Sequence, residues 1–134
     1  MNYSGPDQQN GQRGGATGLK RIFDAFFNSL GGIRFGLTRE PALRQEMVLF
    51  VVSLAIAPLL TLDPWKLVAL WGTILLMLAV EFLNTGLEKL ADKVTRNDDD
   101  LVRIAKDCGS AAVLMTILLT GAVWALALWE RLSG

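Results

Sequence analysis

A chain of 134 residues is enough for one small domain, and its 13 Lys+Arg against 13 Asp+Glu leave no net field to recruit nucleic acid. One cysteine, Cys108, and no histidine exclude an intrachain disulfide and a cysteine-built zinc site, so any acid–base or metal chemistry falls to carboxylates and lysines. Hydrophobic residues make up 51% and charged residues 19%. The apolar residues stand in long blocks and the charges crowd between them, which points to membrane spans.

Residues 1–18 are rich in Gly, Gln, Asn and Ser without a hydrophobic period, which predicts a disordered tail. The first residues are polar, not basic then apolar, so no signal peptide is expected and the later blocks read as retained spans. Gly14-Gly15-Ala16-Thr17-Gly18-Leu19-Lys20 lacks the Gly-Lys-Ser/Thr ending of a phosphate loop and follows no strand. Residues 19–134 then form a single membrane domain.

From Lys20 to Thr38 the period is helical. Phe23, Phe26, Phe27, Leu30, Ile33 and Leu37 share a stripe, with Lys20, Arg21, Asp24, Asn28 and Arg34 mostly opposite. An aromatic face beside basic residues suits an amphipathic helix lying in the membrane interface. Gly31-Gly32 should weaken it by about 1 kcal/mol per glycine relative to alanine.

Three apolar segments follow: Met47–Leu62, Trp65–Val80 (running on through Phe82-Leu83) and Val113–Trp129. A spanning helix needs roughly 20 apolar residues, so flanking residues must lengthen the first two. The expected fold is all-α, with three transmembrane helices and the N-terminal interfacial helix. Arg13, Lys20, Arg21, Arg34, Arg39 and Arg44 precede the first span, and Lys89, Lys93, Arg96, Arg103 and Lys106 follow the second. Only Lys66 lies near the Asp63-Pro64 turn and only Arg131 in the tail. The positive-inside rule therefore predicts a cytoplasmic N-terminus and 84–107 loop, and a periplasmic C-terminus.

Chemistry concentrates after the second span. Glu81, Asn84, Glu88 and Asp92 are spaced three, four and four apart and share one helix face. Glu81 directly follows the apolar run, where an ionisable group is costly and marks a functional site by default. A carboxylate there fits a general base, and it equally fits a boundary residue reaching for headgroup water. Glu40, in Arg39-Glu40-Pro41-Ala42-Leu43-Arg44-Gln45-Glu46, reads more simply as an acid at the positive end of a helix. Lys106-Asp107 precedes the small residues Gly109-Ser110-Ala111-Ala112, which permit close helix approach. Lys106 either snorkels or neutralises phosphate. The run Asn97-Asp98-Asp99-Asp100 reads as a turn and helix cap. Phosphoryl transfer fits this inventory: Mg²⁺ favours one or two carboxylates plus phosphate oxygens, and a further carboxylate can accept the proton of the attacking hydroxyl.

Three motifs carry a resemblance. Glu81-Phe82-Leu83-Asn84-Thr85-Gly86-Leu87-Glu88 with Asp92, Ala105-Lys106-Asp107-Cys108-Gly109-Ser110-Ala111-Ala112-Val113-Leu114, and Glu40-Pro41-Ala42-Leu43-Arg44-Gln45-Glu46 are similar to signatures of the prokaryotic diacylglycerol kinases, in the same order. The similarity runs from about Arg21 to the C-terminus. It implies a homotrimer with sites shared between subunits, and direct transfer from Mg-ATP to a membrane alcohol, diacylglycerol giving phosphatidic acid. By the same resemblance Glu81 is the general base and Asn84 its active-site neighbour, while Glu40 and Glu88 hold Mg²⁺. Arg21, Asn28, Glu40, Glu88, Asn97, Asp98, Asp99, Lys106 and Asp107 fall at nucleotide positions, and Arg21, Arg44, Glu81 and Ser110 at lipid positions. The family tends to carry tyrosine where Asn28 stands, tryptophan where Leu30 stands, and an aromatic and a histidine near Asn97-Asp98-Asp99.

Other readings are an undecaprenol kinase of the same superfamily, a small membrane transporter subunit and a non-catalytic helical scaffold. A transport site belongs near the bilayer midplane, whereas these carboxylates gather at one mouth. A scaffold gives no reason for Glu81, Asn84 and Glu88 to align near Lys106-Asp107.

Overall fold

The structure, a computed structural model, describes residues 18–94 and 99–134. Of the expected tail over residues 1–18, residues 1–17 lie outside the described residues, as do Asn97 and Asp98, and Gly18 opens the first helix. Four helices follow one another: α1 (Gly18–Arg39), α2 (Pro41–Leu60), α3 (Pro64–Val94) and α4 (Asp100–Ser133). The chain divides into two units, Met1–Gly31 and Gly32–Gly134, which are described separately.

In the first unit every residue from Gly18 to Gly31 is exposed, including Ile22, Phe23, Phe26 and Phe27. The Phe26 and Phe27 rings meet edge to face, with centroids 5.8 Å apart. The expected weakening at Gly31-Gly32 does not interrupt α1. Two glycines cost helix stability without removing a backbone hydrogen bond, so they loosen a helix without breaking it.

The second unit is built around α3, which packs against both α2 and α4, while α2 and α4 touch each other little. Leu70, Ile74, Met77 and Leu78 of α3 are buried together with Leu43 and Ala57 of α2. Gly36, in the last turns of α1, is buried against Leu43 and Phe82, and a β-carbon there would sit 3.1 Å from each. Two indole N–H groups tie neighbouring helices to α3. Trp71 Nε1 donates to the Ser53 carbonyl at 3.1 Å, and Trp124 Nε1 donates to the Leu70 carbonyl at 3.1 Å. A half-buried indole N–H facing an apolar neighbour is satisfied in this way.

Most of the large apolar side chains face outward, Val51, Leu59, Leu118 and Leu126 among them. Three helices, α2, α3 and α4, are long and apolar enough to cross a membrane, and that is where these side chains belong. Each helix outruns the apolar segment that announces it. α2 begins at Pro41, well before Met47, and it stops at Leu60, short of Leu62. Pro41 suits the first turn, where an N–H has no partner anyway, and Pro58 falls in the last turn, where little helix remains to disturb.

The lengths decide where polar chemistry can sit. At 1.5 Å per residue, α2 spans about 30 Å, α3 about 46 Å and α4 about 51 Å, against a hydrocarbon core of about 30 Å. The turn between α2 and α3 is only Thr61-Leu62-Asp63. Asp63 Oδ1 accepts from the backbone N–H of Trp65 at 2.8 Å and of Lys66 at 3.1 Å, and Thr61 Oγ1 accepts from Asp63 N–H. Lys66 pairs with Glu130, so the end of α4 lies level with this turn. Exposed Trp65 and Trp129 stand at the same level, as interfacial tryptophans do. With one end fixed there, the surplus of α3 and α4 emerges from the opposite face as a helical hairpin over residues 84–94 and 100–112.

Replacing Trp124 by Phe keeps a six-membered ring and removes the indole N–H that bonds Leu70, together with the rest of the five-membered ring. Its unfolding free energy in detergent should fall by about 1 kcal/mol. A variant that unfolds at the parent's denaturant midpoint would show that the indole N–H adds nothing.

Candidate active site

The end of α3 carries the expected face. Glu81 and Asn84 are each only 9% exposed, Glu88 is half-buried and Asp92 is exposed, so polarity grows as the helix leaves the apolar region. The Asn84 amide Nδ2 donates to Glu88 Oε1 at 3.3 Å. Its Oδ1 is buried with no hydrogen-bond partner. The carboxylates whose charges bear on Glu81 are Glu88 on its own helix and Glu40 at the start of α2.

Glu40 occupies the N-cap position of α2 with extended backbone (φ −117°, ψ 107°). Its carbonyl accepts the first helical bond, from Arg44 N–H at 3.1 Å. Glu40 thus stands at the positive end of α2, as the helix-terminus reading expects, although its carboxylate makes no capping bond. The carboxylate instead meets Lys89 Nζ of α3 at 2.8 Å. Glu40 therefore points at the α3 cluster and already holds a cation.

Lys106 and Asp107 diverge, because consecutive helical residues are about 100° apart. Lys106 Nζ reaches across to Asp92 of α3 at 2.7 Å. Asp107 pairs along its own helix with Arg103 at 3.5 Å, and Arg103 also meets Asp100 at 3.2 Å. Both members of the cross-helix pair lie in the hairpin beyond the spanning part. There Lys106 holds the Asp92 carboxyl below the usual carboxylate range by hydrogen bond and charge, and Asp92 in turn raises Lys106.

The remaining expected site residues are placed as follows. Asp99 caps α4, its Oδ1 accepting from Leu101 N–H at 2.9 Å and Val102 N–H at 3.1 Å, which is the cap reading of the acidic run. Arg44 and Ser110 are exposed. Arg21 and Asn28 lie on the exposed helix of the first unit.

Two members of the cluster escaped sequence reasoning. Glu46 of α2 is half-buried, one oxygen is enclosed without a hydrogen-bond partner, and the charge of Glu81 bears on it. Lys89 reads in isolation as an ordinary interfacial lysine. Neither lies on the Glu81–Asn84–Glu88 spacing, so only the packing of α2 on α3 reveals them. Among the described residues no three metal-ligating side chains stand close enough to hold a metal ion alone. The donor set nonetheless suits Mg²⁺: its candidates are hard carboxylate oxygens, Glu40 already takes a cation, and Mg²⁺ completes its shell with phosphate oxygens and water.

The fold and this cluster define a class: a helical membrane protein with three helices able to span the bilayer and a cluster of carboxylates and lysines at one end of them. A sequence profile of the prokaryotic diacylglycerol kinases matches residues 27–128. Diacylglycerol kinase of Escherichia coli K12 is 36% identical over 115 residues, covering 86% of this chain and 94% of that protein. Diacylglycerol kinase of Pseudomonas aeruginosa is 37% identical over 111 residues, covering 83% and 90%. That of Helicobacter pylori is 32% identical over 113 residues, covering 81% and 85%. The chain belongs to the prokaryotic diacylglycerol kinase family. It is a membrane kinase, with ATP as its co-substrate.

The Asp92–Lys106 pair is testable by itself. A double-mutant cycle with Asp92→Asn and Lys106→Met should give a coupling of about 0.2–1 kcal/mol that shrinks as salt is raised, because both groups are exposed. A coupling insensitive to salt would place the pair in a drier setting than the hairpin provides.

Proposed function

We propose that this kinase phosphorylates diacylglycerol to phosphatidic acid at the cytoplasmic face of a bacterial inner membrane, by direct transfer from ATP. The observation that carries this reading is the place of Glu81. It is a buried carboxyl at the point where α3 leaves its apolar run, flanked by Glu40 and Glu88. A lipid alcohol anchored in the bilayer presents its hydroxyl at that depth, and a nucleotide arriving from water meets the carboxylates and lysines just above.

Glu81 takes the proton of the primary hydroxyl as the alcohol oxygen bonds to the γ-phosphorus. The bond from that phosphorus to the β–γ bridging oxygen breaks, and ADP leaves with the electron pair. Asn84 lies one helical turn from Glu81 and orients the acid beside it, Glu88. Glu40 and Glu88 hold Mg²⁺, which when bound offsets the charge of the phosphates. Lys106 is the mobile cation of the site, moving from Asp92 to phosphate oxygens. The resemblance carries Arg21, Asn28, Asn97, Asp98, Asp99 and Asp107 to the nucleotide, and Arg44 and Ser110 to the lipid. The exposed aromatic helix Gly18–Gly31 lies in the interface, three chains associate, and each site is completed by a neighbour.

Transfer of labelled γ-phosphate in mixed micelles tests this, with diacylglycerol and undecaprenol offered separately. Label should appear on diacylglycerol and fall by at least about 10²-fold in Glu81→Gln, the scale expected for loss of a general base. Glu81→Gln with full activity would remove Glu81 from that role, and label only on undecaprenol would reassign the acceptor. Chelation of Mg²⁺ should stop transfer. Glu40→Gln and Glu88→Gln should each raise the Mg²⁺ needed for half-maximal rate, and an unchanged Mg²⁺ requirement in both would remove them as its holders.

A further inference from the structure

α3 and α4 come very close where Asn84 faces Gly109. A β-carbon built on Gly109 would fall on the Asn84 carboxamide oxygen, and it would stand 3.3 Å from Asn84 Cγ and 3.2 Å from Leu87 Cδ2. Real side chains do not tolerate such an overlap, so position 109 accepts only a residue without a β-carbon unless something moves. Neither Gly86 on α3 nor Gly121 on α4 is constrained in this way, since a β-carbon on either meets nothing within 4 Å.

The atom that fills the space is unusual. Asn84 is 9% exposed, and its Oδ1 has no hydrogen-bond partner. A buried carbonyl oxygen without a partner costs free energy, so its orientation must be dictated by its surroundings. Two contacts dictate it. On one side Nδ2 donates to Glu88 Oε1, and on the other the bare Cα surface of Gly109 leaves room for Oδ1.

We propose that Gly109 is a positioning residue of the phosphotransfer site, a notch in α4 that seats the Asn84 carboxamide so that its amino group is presented to Glu88. The inference rests on the reading of Asn84 and Glu88 as site residues. A methyl group at 109 has two outcomes. Either Asn84 turns away and Glu88 loses its donor, or α4 retreats and draws Lys106, three residues before Gly109, away from Asp92. Both loosen the grip on Mg-ATP and leave the binding of the lipid alcohol alone.

Gly109→Ala and, as control, Gly86→Ala are compared in the full chain in detergent. Gly109→Ala should lower kcat/KM for Mg-ATP by about 10- to 100-fold, the scale of a displacement near 1 Å, with a higher Mg²⁺ requirement and an unchanged KM for diacylglycerol. Gly86→Ala should stay within about twofold of the parent, as surface changes do. A second readout needs no activity: the Asn84 side-chain amide resonance, assigned by its loss in Asn84→Ser, should move in Gly109→Ala and not in Gly86→Ala. If Gly109→Ala folds poorly, adding Asn84→Ser should restore its melting temperature, because the overlapping atom is gone. No recovery overturns the notch. Loss of activity with an unmoved Asn84 resonance overturns it too, as does a moved resonance with full activity. Glu88→Gln, assayed alongside, separates the two ideas: full activity there sinks the site reading, whatever Gly109 does.

Discussion

The mismatch between helix length and bilayer thickness governs the rest of the structure. A hydrocarbon core about 30 Å thick excludes unsatisfied polar groups, so ionisable side chains gather where helices emerge from it. The short α2–α3 turn and the Lys66–Glu130 pair fix three helix ends at one boundary. All of the surplus length in α3 and α4 must therefore appear at the other. Glu81 sits where α3 begins to emerge, and Glu88, Asp92 and Lys106 follow on the hairpin above it. In the proposed function, depth along one helix sorts the groups by role, from the buried acid assigned to the lipid to the exposed ions assigned to the nucleotide.

Glu40, Glu46, Glu81 and Glu88 crowd at that boundary, with Lys89 and Lys106 as their nearby cations. Like charges so placed do not favour folding, and one enclosed oxygen of Glu46 lacks even a hydrogen bond. A site tuned only for stability would not be built this way, and departures from local consistency of this kind collect at functional centres. An assembly that waits for a divalent cation and a polyphosphate has a reason to keep its carboxylates unneutralised. In the proposed function Lys89 on Glu40 is the resident counter-charge that Mg²⁺ would displace.

Much of this is written in the residues. The three spans follow from apolar blocks that no soluble domain of this length needs. The face shared by Glu81, Asn84, Glu88 and Asp92 follows from the helical period, and Asp99 before an apolar helix already reads as a cap. What spacing could not supply are relations between helices. Glu40 is the helix-terminal acid its place in the sequence suggests, and its side chain also turns to Lys89, forty-nine positions later in α3. Lys106 and Asp107 looked like a pair because they are adjacent, yet helical rotation sends them to different partners. Gly109 was one of several small residues that permit close approach. Only the register of α4 on α3 shows that Asn84 occupies the room it leaves, while Gly86 and Gly121 face open space.

The most direct test of this architecture is the depth at which α3 leaves the bilayer. Spin labels placed in turn at the exposed positions Leu76, Leu83 and Leu90, in a background lacking Cys108, would be probed in lipid bilayers with membrane-soluble oxygen and a water-soluble nickel chelate. Oxygen should dominate at position 76, the two should balance near position 83, and the chelate should dominate at 90, which sets Glu81 at the boundary. Dominance of oxygen at all three positions would bury Glu81 in hydrocarbon beyond the reach of any nucleotide, and the assignment of this face as the site of phosphoryl transfer would be wrong.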